Sequence, residues 1–138
     1  MFVNNWPLAL LTLWLLPCAI YDHRHRRVPN WLTLPPLPIA LWWAWGHGAL
    51  GLTLIVLAAG YIAFRFGGLG GADGKIATVV AAVSPPALAL TGLLLLAGFI
   101  GQRLRGQPRA LPAAPFFLAA TVIVLLYSLL PASYFLLP

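Results

Sequence analysis

The sequence contains very little charge. Of its 138 residues, 7% are charged and 62% are hydrophobic, and the mean hydropathy is +0.93. A soluble domain of this size needs a far more polar surface, because water must solvate its exterior. The composition therefore argues against an ordinary soluble protein. It predicts an all-α, polytopic bundle of transmembrane helices that forms a single domain over residues 1–138.

Cysteine is almost absent as well. The one cysteine, Cys18, lies in an apolar run, so an internal disulfide or a cysteine-based metal cluster is excluded within one chain. His23 and His25 lie beside Asp22, but alternate spacing on a short loop is weak support for a metal site. We expect neither a metal nor another cofactor.

The apolar runs indicate the number of membrane spans. A helix needs about 20 residues to cross the hydrocarbon core, so the shorter runs require support from their neighbours. Within the run 76–101, the Ser-Pro-Pro sequence at 84–86 favours a turn between a helix over 74–83 and a second over 86–101. The pattern predicts about six spans. The runs cover residues 3–21, 31–46, 49–66, 76–101 and 111–137.

The basic residues indicate the orientation. Cationic loops stay in the cytoplasm, so their three clusters are expected on that side of the cell inner membrane, with both chain termini outside. The net charge of +6 is then a topology signal, and binding to nucleic acid is not expected. The basic residues are Arg24, Arg26, Arg27, Arg65, Lys75, Arg103, Arg105 and Arg109.

Carboxylates are the scarcest charged groups. Asp22 and Asp73 are the only acidic residues, and the predicted topology brings both to the cytoplasmic boundary. Ionised carboxylates near a bilayer are costly, and those present usually carry function. Two carboxyl groups that share a proton can act as base and acid. The pair therefore predicts an aspartic hydrolase.

Each acid also has a simpler explanation. Asp22 would be a counter-ion for the basic segment DHRHRR, and Asp73 would be the N-cap of a helix that starts at Gly74. The helix dipoles further predict that Asp73, at a helix N-terminus, ionises more easily than Asp22, at a helix C-terminus. Asp22 would then hold the shared proton more often.

Two motifs resemble those of the type IV prepilin and preflagellin peptidases, which are GxGD-type membrane aspartic proteases. Residues 22–30, DHRHRRVPN, match an aspartate, five residues, an aliphatic residue and Pro-Asn. Residues 70–75, GGADGK, match GxGD followed by lysine, with Ala72 at the second glycine. The segment 114–120, APFFLAA, is similar to the start of the family's last span. No cysteine-bearing N-terminal region is present, so the resemblance is to short members that cleave without N-methylation.

This resemblance implies an activity and a set of residues. Asp22 and Asp73 would be catalytic, activating water to cut a leader peptide from a pilin-like or flagellin-like precursor at the cytoplasmic membrane boundary. The expected partners are that precursor and the lipid bilayer. Substrate-binding or loop-shaping roles would fall on Gly70, Gly71, Ala72, Gly74, Lys75, Pro29 and Asn30.

Some of these residues have more than one interpretation. Lys75 would stabilise the carboxylate form of Asp73 or a developing oxyanion, or it would only anchor the topology. Pro29 and Asn30 would set the start of the second helix, with Asn30 as its N-cap. Gly67 and Gly68 extend the glycine-rich segment and would let the loop move or a peptide approach closely.

Two other functions are compatible with the sequence. A small cation or proton transporter would use Asp22 and Asp73 to bind an ion or relay protons. A catalytically silent membrane-assembly partner would need neither acid. Cleavage of a pilin-like precursor, lost on Asp22→Asn or Asp73→Asn, distinguishes the peptidase from both.

Overall fold

The computed structural model describes residues 5–66, 70–106 and 112–130. Within these ranges the chain forms seven helices and no strand, which confirms the all-α prediction there. The helices are α1 Trp6–His25, α2 Asn30–Thr33, α3 Pro36–Gly46, α4 Leu50–Arg65, α5 Gly71–Val83, α6 Pro85–Leu104 and α7 Ala114–Leu129. The predictions for Gly67, Gly68, Arg109 and both chain ends concern residues that lie outside the described ranges.

The predicted turn in the run 76–101 is confirmed. Helix α5 ends at Val83 and α6 begins at Pro85, where a missing N–H costs nothing in the first turn. The Ser84 hydroxyl accepts a hydrogen bond from the backbone N–H of Ala87 at 3.3 Å and so caps α6.

The run 31–46, predicted as one span, is two helices. Pro35 and Pro36 separate the single turn of α2 from α3, because proline supplies no backbone N–H and its ring clashes with the preceding turn. Helix α2 also starts one residue earlier than predicted. Pro29 occupies its N-cap position, and Asn30 is its first residue, so the prediction of Asn30 as N-cap is wrong.

Helix α1 continues past the predicted end of the first span. It reaches His25 and ends where Arg26 adopts a left-handed conformation (φ 53°) and donates its N–H to the carbonyl of Asp22. The start of the basic segment is therefore helical rather than a loop. His23 and His25 are exposed in that last turn.

The exterior of the bundle is strongly apolar. Trp42 and Trp45 are each 76% exposed, and many other large hydrophobic side chains point outward. By length and composition, α6 is able to cross a membrane, and α4 and α7 are shorter apolar helices. The number of spans and the side of the membrane on which each loop lies stay predictions.

Helix α5 lies at the centre of the bundle. It packs most extensively against α4 and α3, with further contacts to α6, α7, α1 and α2, and most of its residues from Gly74 to Ala82 are buried. Helix α1 packs mainly against α7. This arrangement brings the N-terminal end of α5, the C-terminal end of α1 and the N-terminal end of α7 to the same end of the bundle.

Candidate active site

Asp22 lies in the last turn of α1, as predicted, but its carboxylate has a partner that the sequence did not indicate. The side chain is only 7% exposed, and the backbone N–H of Ala114 donates a hydrogen bond to Asp22 Oδ2 at 3.0 Å. Ala114 is the first residue of α7, so its N–H is one of the donors that a helix start leaves unpaired. This hydrogen bond holds the Asp22 carboxyl group against the N-terminus of α7.

Asp73 lies in the first turn of α5, ahead of the apolar part of that helix. The helix begins at Gly71 with Gly70 as N-cap, so the interpretation of Asp73 as an N-cap is wrong. Asp73 is the third helical residue, and its carboxyl group turns back toward the backbone of Gly70 as in a capping box. A Cβ on Gly70 would lie 2.8 Å from Asp73 Oδ2, so a larger residue at this position would displace the Asp73 carboxyl group.

Both carboxyl groups line one open cavity of about 550 Å³. Its wall is formed by the end of α1, the following loop, the starts of α2, α3 and α5, and one face of α4. The lining residues are Asp22, Arg26, Arg27, Val28, Asn30, Leu37, Leu57, Gly60, Tyr61, Phe64, Gly70, Gly71, Ala72, Asp73, Gly74 and Lys75.

The electrostatics of Asp73 differ from the expectation based on helix dipoles. The pKa of its carboxyl group is raised from 3.8 to about 6, mainly because burial disfavours the charged form and also because of the negative charge of Asp22, while a backbone hydrogen bond at Gly70 opposes both. Asp73 thus keeps its proton to a higher pH than an ordinary aspartate. The predicted easy ionisation of Asp73 is therefore wrong, because desolvation outweighs the dipole of its own helix.

Lys75 and Asn30 connect the two sequence motifs directly. Lys75 Nζ donates a hydrogen bond to Asn30 Oδ1 at 2.7 Å, so the start of α5 is tied to the start of α2 across an exposed part of the cavity rim. Pro29 does not line the cavity. It sets the extended backbone (φ −68°, ψ 147°) from which α2 begins.

Comparison with known proteins identifies the family. The model of the type IV leader peptidase family matches residues 9–136, which is nearly the whole chain. The chain belongs to the type IV leader peptidase family. Comparisons with curated proteins and with solved structures gave no significant match. The resemblance inferred from the two motifs is confirmed at the level of the family.

Membership of this family gives the chain its general class. It is a membrane-associated leader peptidase, which acts in general on prepilin-type substrates. In this leader peptidase, the glycine-rich motif forms the first turn of α5 rather than a free loop. Ala72 lines the cavity, whereas a Cβ on Gly71 would lie 3.2 Å from the Phe64 ring. Gly71 is therefore the residue of this motif that packs closely against Phe64 of α4.

Sequence reasoning missed the contribution of α4. Gly60, Tyr61 and Phe64 form part of the cavity wall, although the sequence shows them only as residues within an apolar run. The adjacent Gly60 and Tyr61, a small and a polar residue within that apolar run, were the only sequence features that pointed to a contact there. The Ala114 N–H left no signal at all, because a backbone donor does not depend on residue type.

Proposed function

We propose that this leader peptidase is an aspartic endopeptidase in which Asp22 and Asp73 together activate water. The observation that supports this most is geometric: the only two acidic residues of the chain line the same cavity. A Ser-His-Asp arrangement has no counterpart among the lining residues, since they include neither serine nor histidine. Cys18 is buried and is not among the lining residues either.

The surroundings of the two acids favour different roles. Asp22 accepts a hydrogen bond from the Ala114 N–H, while burial raises the pKa of Asp73 and so favours its protonated form. Asp22 would therefore take a proton from water as the water oxygen attacks the scissile carbonyl carbon. Asp73 would donate its proton to the carbonyl oxygen. When the tetrahedral intermediate collapses, the C–N bond breaks, the proton on Asp22 passes to the leaving amine, and the C=O bond re-forms as a hydroxyl proton returns to Asp73.

The proposed substrate is the leader peptide of a pilin-like or flagellin-like precursor, cut at the cytoplasmic membrane boundary. A cavity of about 550 Å³ has room for a few peptide residues, and one side is open. An apolar helix of the precursor would remain in the bilayer while its N-terminal extension reaches the acids. The clustering of the basic residues supports a site that faces the cytoplasm.

The test is cleavage of a pilin-like precursor by the purified chain in detergent or liposomes, followed by mass spectrometry of the products. Wild-type protein is expected to release the leader peptide, and Asp22→Asn and Asp73→Asn are each expected to lose that activity. Gly92→Ala is a matched control, because a Cβ there would meet nothing within 4 Å and Gly92 does not line the cavity. Cleavage that persists in both aspartate variants would refute the proposal.

The other two functions that the sequence left open make different predictions. A transporter predicts an ion or proton flux into liposomes that depends on Asp22 and Asp73, without precursor cleavage. A silent assembly partner predicts that both asparagine variants still complement a deletion strain. Membership of a peptidase family favours neither of these functions.

A further inference from the structure

Helices α4 and α5 cross with their backbones in direct contact. A Cβ added at Gly60 of α4 would lie 2.9 Å from the Cα of Gly74 in α5, and one added at Gly74 would lie 3.2 Å from the Cα of Gly60. Both obstacles are backbone atoms, so a change of side-chain rotamer relieves neither. The crossing therefore favours glycine on both helices, most strictly at Gly60.

This contact lies next to the proposed catalytic acids. Gly74 directly follows Asp73, and Gly60 and Gly74 both line the cavity that contains Asp22 and Asp73. One turn further along α4, the ring of Phe64 packs over Gly71. The first turn of α5, which carries Asp73, thus rests on the face of α4 formed by Gly60 and Phe64.

We propose that Gly60 is a positioning residue that sets the separation of the Asp73 carboxyl group from Asp22 by fixing how closely α5 approaches α4. The role rests on the proposed function, in which the two acids act on one water. Asp22 is held independently, by the backbone of α7, so a shift of α5 away from α4 changes the geometry between the acids.

The size of the effect follows from the contact distance. Ordinary carbon–carbon contacts are about 3.5–4.0 Å, so a methyl group at Gly60 requires the helices to separate by up to about 1 Å. A misplacement of about 1 Å can lower a catalytic rate about 100-fold. Alanine is a better helix former than glycine, so a loss of activity in Gly60→Ala does not come from a weaker helix.

The first measurement is kinetic. Gly60→Ala is expected to lower kcat for precursor cleavage by about 10- to 100-fold with KM little changed. Gly51→Ala is the matched control on the same helix, because a Cβ there meets nothing within 4 Å, and it is expected to match wild type. Equal kcat values in Gly60→Ala and wild type would overturn the proposal.

The second measurement reports on the acids themselves and does not require activity. Because Asp22 and Asp73 are the only acidic residues, aspartate labelled with ¹³C at Cγ gives two side-chain signals, which Asp22→Asn assigns. In Gly60→Ala, the pKa of Asp73 is expected to fall, because opening the contact between α4 and α5 lets water reach its carboxyl group. The other charged or titratable groups around the cavity are Arg26, Arg27, Tyr61 and Lys75.

The two readouts separate the possible failures. An unchanged Asp73 titration with reduced kcat indicates a general structural defect and overturns the positioning role. If wild type does not cleave the precursor, the proposed function fails, and the titration alone still decides whether Gly60 positions Asp73. Should Gly60→Ala not fold, Gly74→Ala, with its milder 3.2 Å contact, replaces it in both measurements.

Discussion

Asp22 has two roles that substitution can separate. Its carboxylate accepts the buried N–H of Ala114, and by our proposal it also activates water. Asp22→Asn retains a side-chain oxygen for the first role but cannot act as a base. Asp22→Ala removes both. We therefore expect both variants to lose precursor cleavage, while only the alanine variant becomes markedly less stable.

The magnitudes follow from the hydrogen bond. A bond to a charged acceptor contributes about 1.5–3 kcal/mol and a neutral one about 0.5–1.5 kcal/mol, so Asp22→Asn is expected to cost about 1 kcal/mol. Asp22→Ala leaves the Ala114 N–H buried without a partner, which costs a further 1–3 kcal/mol or so. The alanine variant should thus unfold about 1–3 kcal/mol more easily than the asparagine variant.

The assay is reversible unfolding in mixed micelles, followed by circular dichroism, alongside precursor cleavage. Asp73→Asn and Asp73→Ala form the control pair, because Asp73 is only partly buried and water can reach its surroundings more easily. Equal stability of Asp22→Asn and Asp22→Ala would refute the structural role of the carboxylate. Full activity in Asp22→Asn would refute its catalytic role.

Three further predictions concern the start of α5. Gly70→Ala places a Cβ 2.8 Å from Asp73 Oδ2 and is expected to lower kcat about 10- to 100-fold in the cleavage assay, whereas Gly101→Ala, which meets nothing within 4 Å, should not. Because folding raises the pKa of Asp73 from 3.8 to about 6, the folded state binds more protons than the unfolded state between these pH values, and the free energy of unfolding should fall as pH rises from about 4 through 6. In unfolding titrations at several pH values, Asp73→Asn should remove this part of the pH dependence. Asn30→Ala and Lys75→Met each remove the 2.7 Å hydrogen bond between the two side chains, so the double variant should be no less stable than the less stable of the two single variants. Losses of unfolding free energy that add in the double variant would contradict a shared contact.

Much of the fold was predictable because the composition limits the choices. A chain with so little charge must form apolar helices, and the Ser-Pro-Pro sequence at 84–86 marked a helix boundary correctly. The same reasoning failed to divide the run 31–46, although Pro35 and Pro36 carry the same signal. The run 31–46 is short enough to be taken as one span, whereas the run 76–101 is long enough to hold two helices.

The candidate site was predictable in its acids but not in its supports. Asp22 and Asp73 stand out because the chain has no other carboxylate, and the pattern around each matched a known family. The direction of the pKa shift at Asp73 depends on burial, which requires the three-dimensional structure. The contact of Gly60 with Gly74 depends on helix crossing, and no local pattern specifies which residues of two helices meet.

The donor at position 114 also affects how related chains can be compared. Every amino acid except proline has the same backbone N–H, so residue 114 can vary in related chains while the hydrogen bond to Asp22 is kept. An alignment would therefore show a constant aspartate at position 22 without a constant residue at position 114. A proline at position 114 would remove the N–H that donates to Asp22 without changing either sequence motif.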